Sequence, residues 1–296
     1  MSATALALVL TAALLHATWN FIAKKSGGDV RFALLSSVFQ GLIWAPVGLW
    51  FAVKHVPGWG WREWGLILAS GAIHVLYFVC LLRGYRKADL SVVYPLARGT
   101  GPLIAALGAV LLLGEQISAL GAAGIGGVVL GVFLIAGGPA LIRTATHAHD
   151  AAARQRVLLG VGYGALTGVF IAAYTVVDGY AVKVALISPI LVDYLGGVVR
   201  IPMLLPLIGR DLRTLPEVFR SQWKNALVVG TLGPIAYTLV LFAMTLAPLS
   251  HVAPAREVSM LFAALLGGKL LGEQDLGLRL AGAALIAGGV IALALG

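Results

Sequence analysis

Leu112-Leu113-Gly114-Glu115-Gln116 recurs as Leu270-Leu271-Gly272-Glu273-Gln274, 158 positions further along the chain. Aligned at that offset, residues 97–138 and 255–296 share 18 identities in 42 positions. Arg98 falls on Arg256, Ala105 on Ala263 and Gly124 on Gly282. Earlier segments correspond more loosely. Gly41 and Pro46 line up with Gly197 and Pro202, and Ala88-Asp89-Leu90-Ser91 resembles Ala247-Pro248-Leu249-Ser250. One unit is therefore written twice, and a doubled unit in a very apolar chain is a signature of membrane proteins built from internal repeats.

The composition agrees. Hydrophobic residues make up 60% of the chain and charged residues 11%, with a mean hydropathy of +0.96. A single soluble core cannot hide that much apolar surface, whereas a lipid solvent removes the need to. The 38 glycines permit membrane helices to approach closely. The net charge of +9 is carried by basic residues set between apolar runs, the pattern of membrane flanks and not of a nucleic-acid surface. Cys80 stands alone in an apolar run, so the chain holds no internal disulfide framework and no cysteine metal site. The apolar run that follows Met1 has no basic leader and reads as an uncleaved first span.

Ten segments are long enough to cross a hydrocarbon core of about 30 Å. They are residues 4–23, 32–53, 64–82, 90–113 and 118–136, then 157–177, 186–208, 225–246, 249–271 and 278–295. The polar stretch 143–156 links a first half, 1–142, to a second, 157–296. Five spans in each half force the second half to enter the membrane from the opposite face. The expected fold is an all-α integral membrane protein of ten transmembrane helices arranged as two inverted five-helix repeats. Fifteen Lys and Arg residues fall in the loops after odd-numbered spans and three in the others. The positive-inside rule then puts both termini outside a cytoplasmic membrane.

Ten spans in two halves, each closing its fourth helix with Leu-Gly-Glu-Gln, resemble the drug/metabolite transporter superfamily, EamA type. The family's pattern is Ala after an aromatic or small residue, then a Pro-bearing helix ending in Gly-Glu. It appears as Tyr85, Ala88, Pro95 and Gly114-Glu115, and again as Met244, Ala247, Pro254 and Gly272-Glu273. His16-Ala17-Thr18-Trp19-Asn20 followed by Lys24 is similar to one branch of that family. The resemblance spans essentially the whole chain. It implies secondary transport of small metabolites, often amino-acid efflux from a bacterial inner membrane, with eight spans around a central cavity and spans five and ten at the periphery. Arg98 and Arg256 depart from what a generic amino-acid exporter would carry.

A charge at the centre of a membrane helix costs about 2.5–3.5 kcal/mol on insertion scales, so each needs a reason. Arg98 lies eight residues past Leu90, or ~12 Å into the membrane. Arg256 lies seven residues past Leu249, at a similar depth from the other face. The pair either clamps a carboxylate or phosphate, or snorkels to helix-end carbonyls. Asp193 and Arg200 are seven residues apart and share one helix face, as a cavity stripe or as members of interhelical ion pairs such as Arg200 with Glu257. Glu257 is a candidate proton carrier or a counter-charge for Arg98 or Arg200. His16, Trp19 and Asn20 share one face of the first span and could recognise a zwitterion, with His16 also able to move a proton. His74 with Tyr77 forms a second such pair, and Tyr94, Tyr174 and Tyr237 are candidate cavity aromatics. Asp178 reads as a solvated helix end, and Glu115 and Glu273 as fittings that cap or orient the turn into the next helix.

No Walker A sequence, His-Glu-x-x-His or Asp-rich metal motif is present, so no nucleotide, cofactor or metal is expected. The implied partners are a small-molecule substrate and the lipid bilayer. The alternatives to a carrier are an intramembrane enzyme or a flippase acting on a lipid-linked substrate.

Overall fold

The computed structural model of the chain describes residues 1–26, 29–138, 142, 145–146, 151–262 and 276–296. The second Leu-Gly-Glu-Gln copy with Glu273, the end of the ninth expected span, and linker residues 143–144 and 147–150 lie outside the described residues. The first half contains α1 (Ala3–Lys25), α2 (Val30–Ile43), α3 (Ala45–His55), α4 (Trp61–Lys87), α5 (Leu90–Leu113) and α6 (Ala119–Ile135). The second contains α7 (Ala151–Lys183), α8 (Pro189–Ile208), α9 (Leu215–Leu246), α10 (Leu249–Ala255) and α11 (Leu276–Leu295). Among the described residues every regular element is helical, with short 3₁₀ turns at Val56–Gly58, Gly209–Thr214 and Arg256–Val258.

Seven helices are long and apolar enough to cross a membrane. The second expected span is not one straight helix. It is α2 followed by α3, bent by 67°, and it makes an eighth span if counted as one. Pro46 sits in the first turn of α3, where it cannot donate to the carbonyl of Leu42, so the ladder breaks at Trp44. The fifth expected span is the shorter α6, of 17 residues. The ninth begins as α10 and tightens into a 3₁₀ turn at Arg256, two residues past Pro254.

The helix ends follow from local chemistry. Asp29 caps α2 by accepting from the N–H groups of Arg31 and Phe32 at 2.9 and 3.1 Å. Ser118 caps α6 by accepting from the N–H of Gly121 at 2.9 Å. Gly114 ends α5 at φ +67°, a left-handed position that favours a residue without Cβ. Gly114 is thus a helix stop.

Two pairs of equivalent segments, α6 with α11 and α2–α3 with α8, pack on each other and run antiparallel. Gly124 meets Gly289 and Gly131 meets Gly282 across α6 and α11, and a Cβ on Gly131 would stand 2.5 Å from the Gly282 carbonyl oxygen. Shifting these contacts by the repeat offset returns the same two contacts. Across the bent α2–α3 pair and α8, Gly48 of α3 lies against Tyr194 and Gly41 of α2 against Val198 and Ile201, again in opposed directions. The remaining neighbours come in matched sets: α1 on α9 mirrors α4 on α7, and α2 on α9 mirrors α4 on α8. The polar residues of interest sit where these sets converge.

Candidate functional site

A cavity of about 110 Å³ opens between the halves. α1 contributes His16 and Asn20, α4 contributes Tyr77 and Tyr85, and α5 contributes Tyr94 and Arg98. Ser259 and Met260, beyond the 3₁₀ turn, close it from the second half. Of the residues expected at a site, it brings together His16, Asn20, Tyr77, Tyr94 and Arg98.

Arg98 is held from the other repeat. Its Nη2 lies 2.8 Å from Oε2 of Glu257 and donates to Ser259 Oγ at 3.3 Å. Glu257 is 1% exposed. Its other oxygen lies 3.7 Å from Nε of Arg256. Of the two ion-pair alternatives, Glu257 therefore serves Arg98 and not Arg200. Two guanidiniums flank one carboxylate, which leaves an excess of positive charge beside the cavity. The Nε of Arg98 is buried without a hydrogen-bond partner, an exception that buried polar groups seldom make. Arg256 also donates to Thr175 Oγ1 at 3.2 Å and stands 5.8 Å from the centre of the Tyr174 ring.

Behind the cavity lies an aromatic layer. His74 stacks on Tyr174 with centroids 4.0 Å apart, and Tyr237 meets His74 edge-on at 5.7 Å. Tyr77 packs against Tyr174 at 5.9 Å and reaches the cavity from this layer. Trp19 packs edge-on against His16 at 4.9 Å.

Asp193 and Arg200 do not touch directly. Gln40 bridges them: its Nε2 donates to Asp193 Oδ2 at 3.2 Å and its Oε1 accepts from Arg200 Nη2 at 3.3 Å. Asp193 lines a second, mostly apolar pocket of about 160 Å³ with Trp44, Tyr194 and Phe242. This pocket lies toward the opposite end of the bundle. α4 and α8 run side by side in the same direction, with Ser70 against Gly196, and Val75 and Val79 clustered with Leu204. The first turns of α8 are thus remote from Tyr77 and Tyr85. The bridging role of Gln40 had no signal in the one-dimensional pattern beyond a polar residue in an apolar run.

Asp178 corrects the sequence reading. It is not a solvated helix end but 0% exposed, because α7 continues past it to Lys183. Glu115 is also more than a local fitting. It caps α10 of the other half, accepting from the N–H groups of Leu249 and Ser250 at 2.7 and 2.9 Å, and pairs with Lys183 at 2.8 Å.

Arg98 thus lines a cavity between two repeated helical halves. The EamA-like transporter family matches residues 3–137 and 158–295. The chain belongs to the EamA-like transporter family. Each matched block contains one copy of the Leu-Gly-Glu-Gln repeat. No curated protein matches the chain. A solved structure known as "Crystal structure of protein" is similar at a TM-score of 0.72 and 17% identity, covering 100% of this chain and 98% of its own. That likeness shows the fold of the EamA-like chain. Family and helices together make it an integral membrane protein of a transporter family.

Proposed function

We propose that the protein is a secondary carrier for a small polar metabolite bearing an anionic group, an amino acid or related organic anion. Two inverted five-span repeats rock about the central cavity, which is open to one face at a time. The antiparallel packing of equivalent helices supports the inversion. The observation that carries the reading is Arg98, set in the cavity wall and tethered to Glu257 and Ser259 of the opposite repeat. An incoming carboxylate or phosphate competes with Glu257 for the guanidinium, so binding loosens one repeat from the other. That links occupancy to movement. Arg256 adds charge from the symmetric position, while Tyr77, Tyr94 and Asn20 shape the space for the rest of the substrate and Trp19 supports it through His16. Tyr174, Tyr237, His74 and Arg200 form the polar and aromatic layer behind it. His16 in the cavity wall, Glu257 beside Arg98 and Asp193 at the second pocket are the candidate groups for proton exchange. The family resemblance points to efflux from a bacterial inner membrane, driven by protons or by exchange.

The test is a thermal-shift screen of amino acids, organic acids and phosphonates on the purified protein. At least one anionic class is expected to raise the unfolding temperature of the wild type and to leave Arg98→Gln unmoved. A ligand that stabilises both equally removes Arg98 from the site.

A further inference from the structure

The acids buried in this bundle differ in what neutralises them. Glu257 sits between two guanidiniums, Glu115 holds Lys183, and Asp193 receives Gln40, which itself binds Arg200. Asp178 has none of these. Among the described residues no ion pair reaches it, although it is 0% exposed. The Tyr237 hydroxyl donates to its Oδ2, the buried Ser70 hydroxyl on α4 is a second neutral donor beside it, and its Oδ1 makes no close hydrogen bond. A bare carboxylate in a dry membrane interior is costly, and adding a proton removes the charge.

We infer that Asp178, with the Tyr237 hydroxyl as its hydrogen-bond partner, is the binding site of the proton that the carrier moves. The inference rests on the carrier reading and adds a principal proton-binding group to the candidates His16, Asp193 and Glu257. The surroundings suit the role. His74 on α4 lies edge-on to Tyr237, and its Nδ1 faces the Ser70 carbonyl at 2.9 Å. Nδ1 therefore donates, which leaves Nε2 as an acceptor. Tyr174 lies one turn before Asp178 on α7 and stacks on His74. From α8 the charges of Arg200 and Asp193 act on this region, and from the 3₁₀ turn after α10 that of Arg256. Arg98 on α5 faces Glu257 instead. The proton site is thus joined to the substrate arginines by the aromatic layer and through the field of Arg256. A metal ion would require several oxygen ligands. The described residues group no three acids, histidines or cysteines to hold one.

Infrared difference spectra of the protein in lipid, taken from acid to alkaline pH, read the carbonyl stretch of a protonated carboxyl directly and need no substrate. The wild type is expected to show a buried protonated carboxyl that titrates. Asp178→Asn is expected to lose that band, and Tyr237→Phe to shift it by removing the phenol partner. Asp193→Asn is expected to keep it. A spectrum of Asp178→Asn identical to that of the wild type overturns the inference, as does loss of the band in Asp193→Asn alone. A second arm reconstitutes the same proteins in vesicles and follows a radiolabelled amino-acid and organic-acid mixture under an imposed pH gradient. Gradient-driven accumulation is expected in the wild type and its loss in Asp178→Asn; equal accumulation in both overturns the inference. If the wild type moves none of the mixture while Asp178→Asn still lacks the band, the carrier reading fails and the proton site stands.

Discussion

At the scale of single residues, the chemistry converges on Arg98 and Glu257. Glu257 is a buried carboxylate shared by two guanidiniums, and removing it leaves both without their counter-charge. Breaking a buried pair from one side typically costs about 3–5 kcal/mol. Glu257→Gln is therefore expected to lower the thermal midpoint of the purified protein well beyond the effect of a surface exchange such as Glu63→Gln. Equal midpoints for the two variants would show that the pair carries little. The residue pattern announced both arginines, because two charges at matched positions in a repeat stand out against apolar helices. It did not announce the fate of Asp178. Its burial depends on α7 running on to Lys183 and on Tyr237 arriving from another helix, and neither is visible along one strand of sequence.

At the scale of elements, two joints hold the halves together. One is the glycine seam of α6 and α11. Gly131 lies so near the Gly282 carbonyl that a Cβ would clash with backbone, which cannot swing away as a side chain can. Gly131→Val is expected to destabilise the fold by roughly 1–3 kcal/mol, whereas valine at Gly126, where a Cβ meets nothing within 4 Å, is expected to change little. Comparing their thermal midpoints in detergent separates the two. The other joint is Glu115. Burial pushes its carboxyl up, but the Lys183 ammonium and the N–H groups of Ser250 and Leu249 outweigh burial and hold it below the usual carboxylate range. Its contribution is thus present above the unfolded value of about 4.3 and fades as pH falls through the lower folded value. Glu115→Gln is expected to cost roughly 1–3 kcal/mol at neutral pH. The gap between variant and wild-type midpoints should close in acid. A gap that persists unchanged in strong acid would mean that the charge at Glu115 is not what holds α10.

At the scale of the whole molecule, the doubled Leu-Gly-Glu-Gln supplied the register from which the halves, the matched arginines and the antiparallel pairing all follow. The repeat was legible because helix stops and seam glycines admit few substitutes. The 67° bend between α2 and α3 was less so. Pro46 marked the place, yet the apolar run across it reads as one continuous span. Gln40 was illegible for another reason: its value comes from two partners on α8 that only packing brings near. The two pockets lie toward opposite ends of the bundle, with the Arg98, Arg256 and aromatic layer linked to the first. The most direct measurement is counterflow in proteoliposomes, with a radiolabelled amino-acid and organic-acid mixture outside and an unlabelled excess inside. Saturable uptake by the wild type is expected, together with its abolition in an Arg98→Gln protein that still inserts in the membrane; full counterflow by Arg98→Gln would contradict the assignment of the site.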